Sequence, residues 1–143
     1  MNYTIDSALS QAVKAGYTGS IDTFYLAGHS LGGTCAATYT QAYEDKVLGN
    51  ILYGTYVTDQ NVADWKVPVL TVGGELDGGM GRPGNLLHSI ISSDDAAKDN
   101  GEIVNSGWQL SNKAVVILPG MDHSDFSPGY KVPGDVIPSD ITD

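Results

Sequence analysis

The chain is 143 residues long and strongly acidic, with 17 Asp and Glu against 7 Lys and Arg for a net charge of −10. No Lys/Arg cluster is present, which excludes the basic patches that drive binding to nucleic acid or anionic membrane surfaces. Hydrophobic residues make up 41%, enough for one core, and no apolar run approaches the ~20 residues a membrane span requires.

In chain order, the first element is a helix. Ile5, Ala8, Leu9, Ala12 and Val13 recur at helical spacing, Thr4 or Asp6 can cap the start, and Gly16 can end it. Met1-Asn2-Tyr3-Thr4 opens no signal peptide, and the glycosylation tripeptide Asn2-Tyr3-Thr4 is too short to carry weight without secretion. A strand is expected over about 23 to 27, and Gly28-His29-Ser30-Leu31-Gly32 follows it directly. That is the wording of a nucleophile elbow, in which a strand turns sharply into a helix and holds a strained Ser out in the open between residues without side chains. Gly28 and Gly32 are expected to meet that steric demand, with Gly33 in reserve, and 31 to about 43 suits the following helix. Cys35, the single cysteine, forms no internal disulfide; it is expected to pack behind the elbow and favours a reducing compartment.

Further strands are expected at 50 to 56, 67 to 73 and 113 to 118, each β-branched and apolar enough to be a buried parallel strand. A carboxylate that orients a catalytic base belongs just past such a strand, and Asp77 in Glu75-Leu76-Asp77-Gly78 occupies that place. Asp59, after the preceding strand, and Glu75 are its rivals. Of three His, His29 adjoins Ser30 and is expected to point away from it, and His88 lies in an apolar helical stretch. His123 alone follows a strand, in Pro119-Gly120-Met121-Asp122-His123-Ser124. The order Ser, Asp, His is the one an elbow-type triad needs. Gly79-Met80-Gly81-Arg82-Pro83-Gly84 fits G-x-G-x-x-G, but an acidic loop separates it from its strand and it contains Pro83; it reads as a site-lining loop, not a dinucleotide site. The segment from about 82 to 112 is polar and helix-prone, and 127 to 143 carries three prolines and reads as an extended tail.

The segments F-Y-L-A-G-H-S-L-G-G (24 to 33), V-P-V-L-T-V-G-G-E-L-D-G (67 to 78) and V-V-I-L-P-G-M-D-H-S (115 to 124) together resemble the α/β-hydrolase superfamily of serine hydrolases. The resemblance implies an α/β fold of about four parallel strands, equivalent to strands five to eight of that fold, with helices around them and no large lid. It implies Ser30 as nucleophile, His123 as base and acid, Asp77 as orienting carboxylate and the Leu31 N–H as one oxyanion donor. A carboxylic ester would be the substrate, and neither cofactor nor metal would be needed. The sequence departs from the family in having no H-G-G-type loop upstream of Gly28 to provide a second oxyanion donor. The chain is therefore expected to be a single, incomplete hydrolase domain beginning at the helix before the elbow strand. Thr23 to Ala27 would then form an open sheet edge able to pair with a second copy or a partner. A catalytically incomplete fragment or an interaction module is the alternative expectation.

Overall fold

A computed structural model describes residues 2–55, 65–79, 81–82, 107–110 and 112–127. Its sheet holds the strands β1 (Phe24–His29), β2 (Val47–Tyr53), β3 (Val69–Gly74), β4 (Gly107–Leu110) and β5 (Lys113–Leu118), in the order β1-β2-β3-β5-β4. Among the described residues two α-helices accompany it, α1 (Asn2–Lys14) and α2 (Leu31–Ala42). Strands β1, β2, β3 and β5 run parallel, as expected for this α/β class. β4 was not anticipated: the end of the segment read as helix-prone pairs antiparallel with β5, Leu110 opposite Lys113. Four residues are too few to display a period, and this strand exists only through its partner.

Helix α1 starts at Asn2, so Thr4 and Asp6 lie within it and neither is its N-cap. Its end is as expected. Gly16 takes φ +96, the Gly16 N–H bonds the Val13 carbonyl at 3.0 Å and the Tyr17 N–H bonds the Ala12 carbonyl at 3.0 Å, which together form a Schellman cap. Helix α2 buries Gly33, Ala36, Ala37, Tyr39 and Thr40 at helical spacing, and these small residues let it lie close against β1 and β2. Cys35 is off that stripe and exposed, so it is not the packed residue the sequence suggested.

Helix α2 covers one face of the sheet, packing on β1 and β2. Leu52 is fully buried, Val69, Thr71 and Val115 are nearly so, and Tyr39, Val47 and Val67 form a cluster onto which Ile5, Phe24, Leu26 and Tyr43 pack. Lys113 shares that buried face. Its ammonium donates to the Trp65 carbonyl and to Asn112 Oδ1, both at 2.6 Å, and burial lowers its pKa, with Glu44 opposing the shift. β1 is an outer strand, with Tyr25 72% exposed on the face away from the helices. Among the described residues no helix is long and apolar enough to cross a membrane.

Candidate active site

Every candidate residue follows the carboxyl end of a strand, the end where open parallel sheets gather their ligands. Ser30 comes directly after β1, at φ 54 and ψ −124, and is the one non-glycine with positive φ among the described residues. Its N–H is tied to the Tyr53 carbonyl at 2.9 Å, and its side chain does not cap α2. The turn is sterically possible because of Gly28, where a Cβ would strike the backbone of Gly32 and Gly33, and because of Gly33, where it would strike Thr55 Cγ2. At Gly32 a Cβ meets nothing within 4 Å, so the second steric demand falls on Gly33 and not, as expected, on Gly32. The Leu31 N–H is the first of α2 and, like the first N–H groups of any helix, has no partner within it.

Asp77 follows β3 and is 2% exposed. Its Oδ1 accepts the Gly79 N–H at 2.8 Å and its Oδ2 lies 2.7 Å from His123 Nδ1. The remaining tight neighbour is Gly81, where a Cβ would collide with Asp77 Oδ2. Two glycines of the G-x-G-x-x-G run thus enclose a carboxylate. The rival Glu75 is exposed and accepts the Gly120 N–H at 2.9 Å, tethering the loop that carries His123. Asp59 and His88 lie outside the described residues, as do 56 to 64, where a lid was not expected, and the tail beyond Ser127.

His123 is 4% exposed and opens a 3-10 turn, His123–Phe126. Asp122 caps that turn, accepting from the Ser124 N–H at 2.8 Å and the Asp125 N–H at 3.1 Å while the Asp125 carboxylate takes the Asp122 N–H at 2.8 Å. Because a carboxylate only accepts, the 2.7 Å contact places a proton on His123 Nδ1, so that Nε2 is the acceptor nitrogen whenever the ring is neutral. Among the described residues no hydrogen bond joins Ser30 to His123. Such bonds often tighten only when substrate is held.

A family model described as the alpha/beta hydrolase family matches residues 5–137. The chain belongs to the α/β-hydrolase family. No curated protein matches it. Membership supports hydrolase chemistry in general, and in this α/β hydrolase the four parallel strands bring the elbow, the buried carboxylate and the imidazole to one end of the sheet.

Two further residues lie against the His123–Asp77 pair: Gly54, which the sequence reading did not single out, and His29, which it expected only to point away from Ser30. Gly54, directly after β2, has φ +54, and a Cβ there would come within 2.9 Å of His123 Nδ1, 3.1 Å of its Cε1 and 3.4 Å of Asp77 Oδ2. The other is His29, whose ring lies 4.6 Å from that of His123. Gly54 fell inside the strand expected at 50 to 56, and His29 had only its place beside Ser30. A cavity of about 770 Å³ among the described residues lies elsewhere. It is lined by Thr23, Phe24 and Lys46, at the opposite strand ends and roughly 20 Å from Ser30 at the rise of a six-residue strand.

Proposed function

We propose that this α/β hydrolase cleaves carboxylic esters through an acyl-enzyme on Ser30. The observation carrying the proposal is the buried 2.7 Å pair of His123 Nδ1 with Asp77 Oδ2, at the same sheet end as a serine in elbow geometry. In the first half-reaction His123 Nε2 takes the Ser30 hydroxyl proton as Oγ bonds the ester carbonyl carbon. The imidazolium so formed is stabilised and held in orientation by Asp77. The carbonyl oxygen becomes an oxyanion and accepts from the Leu31 N–H at the start of α2, where the helix dipole also favours negative charge. Collapse of the intermediate expels the alcohol, which receives the proton from His123. Water, deprotonated by the same nitrogen, then releases the acid and restores Ser30. Neither step calls for a cofactor.

Short p-nitrophenyl esters and a fluorophosphonate probe test this reading. Burst release of nitrophenol and a single label on Ser30 are expected; a folded sample in which Ser30 takes no label would sink it.

A second reading has its own support. β1 is an outer strand, Tyr25 and Ala27 are exposed, and among the described residues the Leu31 N–H is the one oxyanion donor that the family pattern picks out. In this reading the edge from Thr23 to Ala27 recruits a second copy or a partner, and the site works only in that assembly. Activity that rises with protein concentration more steeply than in proportion favours it over the self-sufficient enzyme.

A further inference from the structure

We propose that His29 is a positioning residue, clamping the loop that carries His123 to the strand that carries Ser30. The role rests on the serine-hydrolase reading, but its geometry is independent of it. His29 is the last residue of β1, one peptide bond from Ser30, and its Nε2 lies 3.0 Å from the backbone oxygen of His123. A carbonyl only accepts, so His29 Nε2 carries the proton and donates it. The two imidazole rings lie 4.6 Å apart at 40°, and the His29 ring also lies 5.8 Å from Phe126, which itself contacts Tyr53 of β2 at 5.6 Å.

The direction of this tether matters. The Gly120 N–H bond to Glu75 and the Leu76 N–H bond to the Met121 carbonyl fasten the His123 loop to the segment after β3, which also bears Asp77. They fix the base relative to the acid. The reciprocal cap of Asp122 and Asp125 acts within the loop. Fixing the base relative to the nucleophile requires a tie to β1, and the 3.0 Å hydrogen bond of His29 is that tie among the described residues, across 94 positions of sequence.

The clamp works best uncharged, because His123 becomes a cation each time it takes a proton, and a charged His29 ring 4.6 Å away would oppose this. Burial and the neighbouring His123 lower the pKa of His29, while the bond to the His123 carbonyl and the charge of Asp77 pull the other way. His123 and Asp77 are the titratable groups acting on it. A neutral ring with its proton on Nε2 keeps the hydrogen bond without the charge.

His29→Phe keeps a ring and removes the donor, whereas His29→Gln can restore an N–H donor. Misplacing a catalytic group by a fraction of an ångström to 1 Å costs up to about 100-fold. His29→Phe is therefore expected to lower kcat on a p-nitrophenyl ester, and the rate of fluorophosphonate labelling, by about 10- to 100-fold with KM nearly unchanged. His29→Gln should recover most of the loss. Nitrogen-resolved NMR of the imidazoles, which needs no turnover, should show the Nε2–H tautomer at His29 and, in His29→Phe alone, faster solvent exchange of the His123 Nδ1–H. An Nδ1–H tautomer at His29, or a folded His29→Phe chain with undiminished kcat, overturns the proposal. If the unsubstituted chain neither turns over nor labels, the hydrolase reading fails, and the tautomer and exchange rates still decide on His29.

Discussion

Replacing Gly54 by Ala perturbs the site through a single methyl group, and its effect can be worked from two separate facts. The first is conformational: Gly54 sits at φ +54, where an L side chain costs about 1–2 kcal/mol, so the variant should lose about that much stability and several degrees in Tm. The second is contact. The new Cβ would lie 2.9 Å from His123 Nδ1, and non-bonded heavy atoms settle at about 3.5–4.0 Å, so the imidazole must retreat by roughly 0.6 Å or more. It cannot retreat freely, since the same nitrogen holds Asp77 at 2.7 Å. A displacement of that size should cost roughly 10- to 100-fold in kcat, about 1.4–2.7 kcal/mol of transition-state stabilisation. The control is Gly32→Ala, where the added methyl meets nothing within 4 Å and φ is not positive. Gly32 lies inside α2, so that variant should be neutral or stabilised by about 0.5–1 kcal/mol, with labelling of Ser30 intact. Urea unfolding and ester kinetics on both variants form the assay. Equal damage from the two, or a Gly54→Ala chain with wild-type kcat, would refute the argument that backbone closeness at Gly54 sets the imidazole.

Asp77→Asn removes the charge that supports the imidazolium and favours the wrong tautomer; kcat should fall by roughly 10³- to 10⁴-fold with little change in KM, and an unchanged rate would exclude Asp77 as the orienting acid. Lys113 gives a pH prediction whose sign is fixed. Its folded pKa lies below the ordinary 10.5, so between the two values the unfolded chain binds more protons and the Lys113 contribution to stability grows as pH rises through that window. Unfolding free energies of the wild type should therefore gain on those of Lys113→Met as pH rises towards 10.5, and a constant difference would contradict the burial argument. At the sheet edge, β1 contains neither Lys nor Pro to discourage pairing, so the chain is expected to self-associate in sedimentation and Ala27→Lys to shift it towards monomer. A monomer for the unsubstituted chain at high concentration would remove the case for edge pairing.

Much of the fold was legible because buried parallel strands leave continuous apolar runs. The run at 113 to 118 is a strand over those same residues, and β1 and β3 deviate from the reading only at their ends. β2 departs more, beginning at Val47 and ending at Tyr53 where 50 to 56 was expected. Its start is blurred by Gly49, which in a sequence argues against a strand; here Gly49 is buried, and a Cβ there would come within 3.1 Å of the Tyr25 ring. Its end is dictated by the positive φ of Gly54, a conformation no composition rule reveals. Lys113 was legible as the start of a strand and not as a core residue, because its burial depends on the Trp65 carbonyl, 48 positions away.

At the site, the sequence was informative about residue types and silent about spacing in three dimensions. Asp77 and His123 could be chosen because both follow strands, yet what brings them to 2.7 Å is close approach of backbone from two segments, at Gly54 and at Gly79 and Gly81. Gly81 fits there because a methyl group would occupy the space of Asp77 Oδ2, and Gly54 because one would press on both members of the pair. This explains why a G-x-G-x-x-G match at 79 to 84 need not signal a phosphate: glycines admit the approach of any acceptor, and here the acceptor is the protein's own carboxylate, bound by the Gly79 N–H at 2.8 Å. The acid and base are thus held by a rigid backbone enclosure, with few alternative positions open to either. In the proposed mechanism the nucleophile is held differently: the elbow backbone and the Tyr53 carbonyl fix Ser30, and the His29 hydrogen bond ties the His123 loop to β1. Of the two distances the proposed triad must keep, the one from acid to base is set by backbone packing, and the one from base to nucleophile is where the His29 clamp acts. Substitutions at His29 should therefore disturb kcat while leaving the His123–Asp77 pair intact.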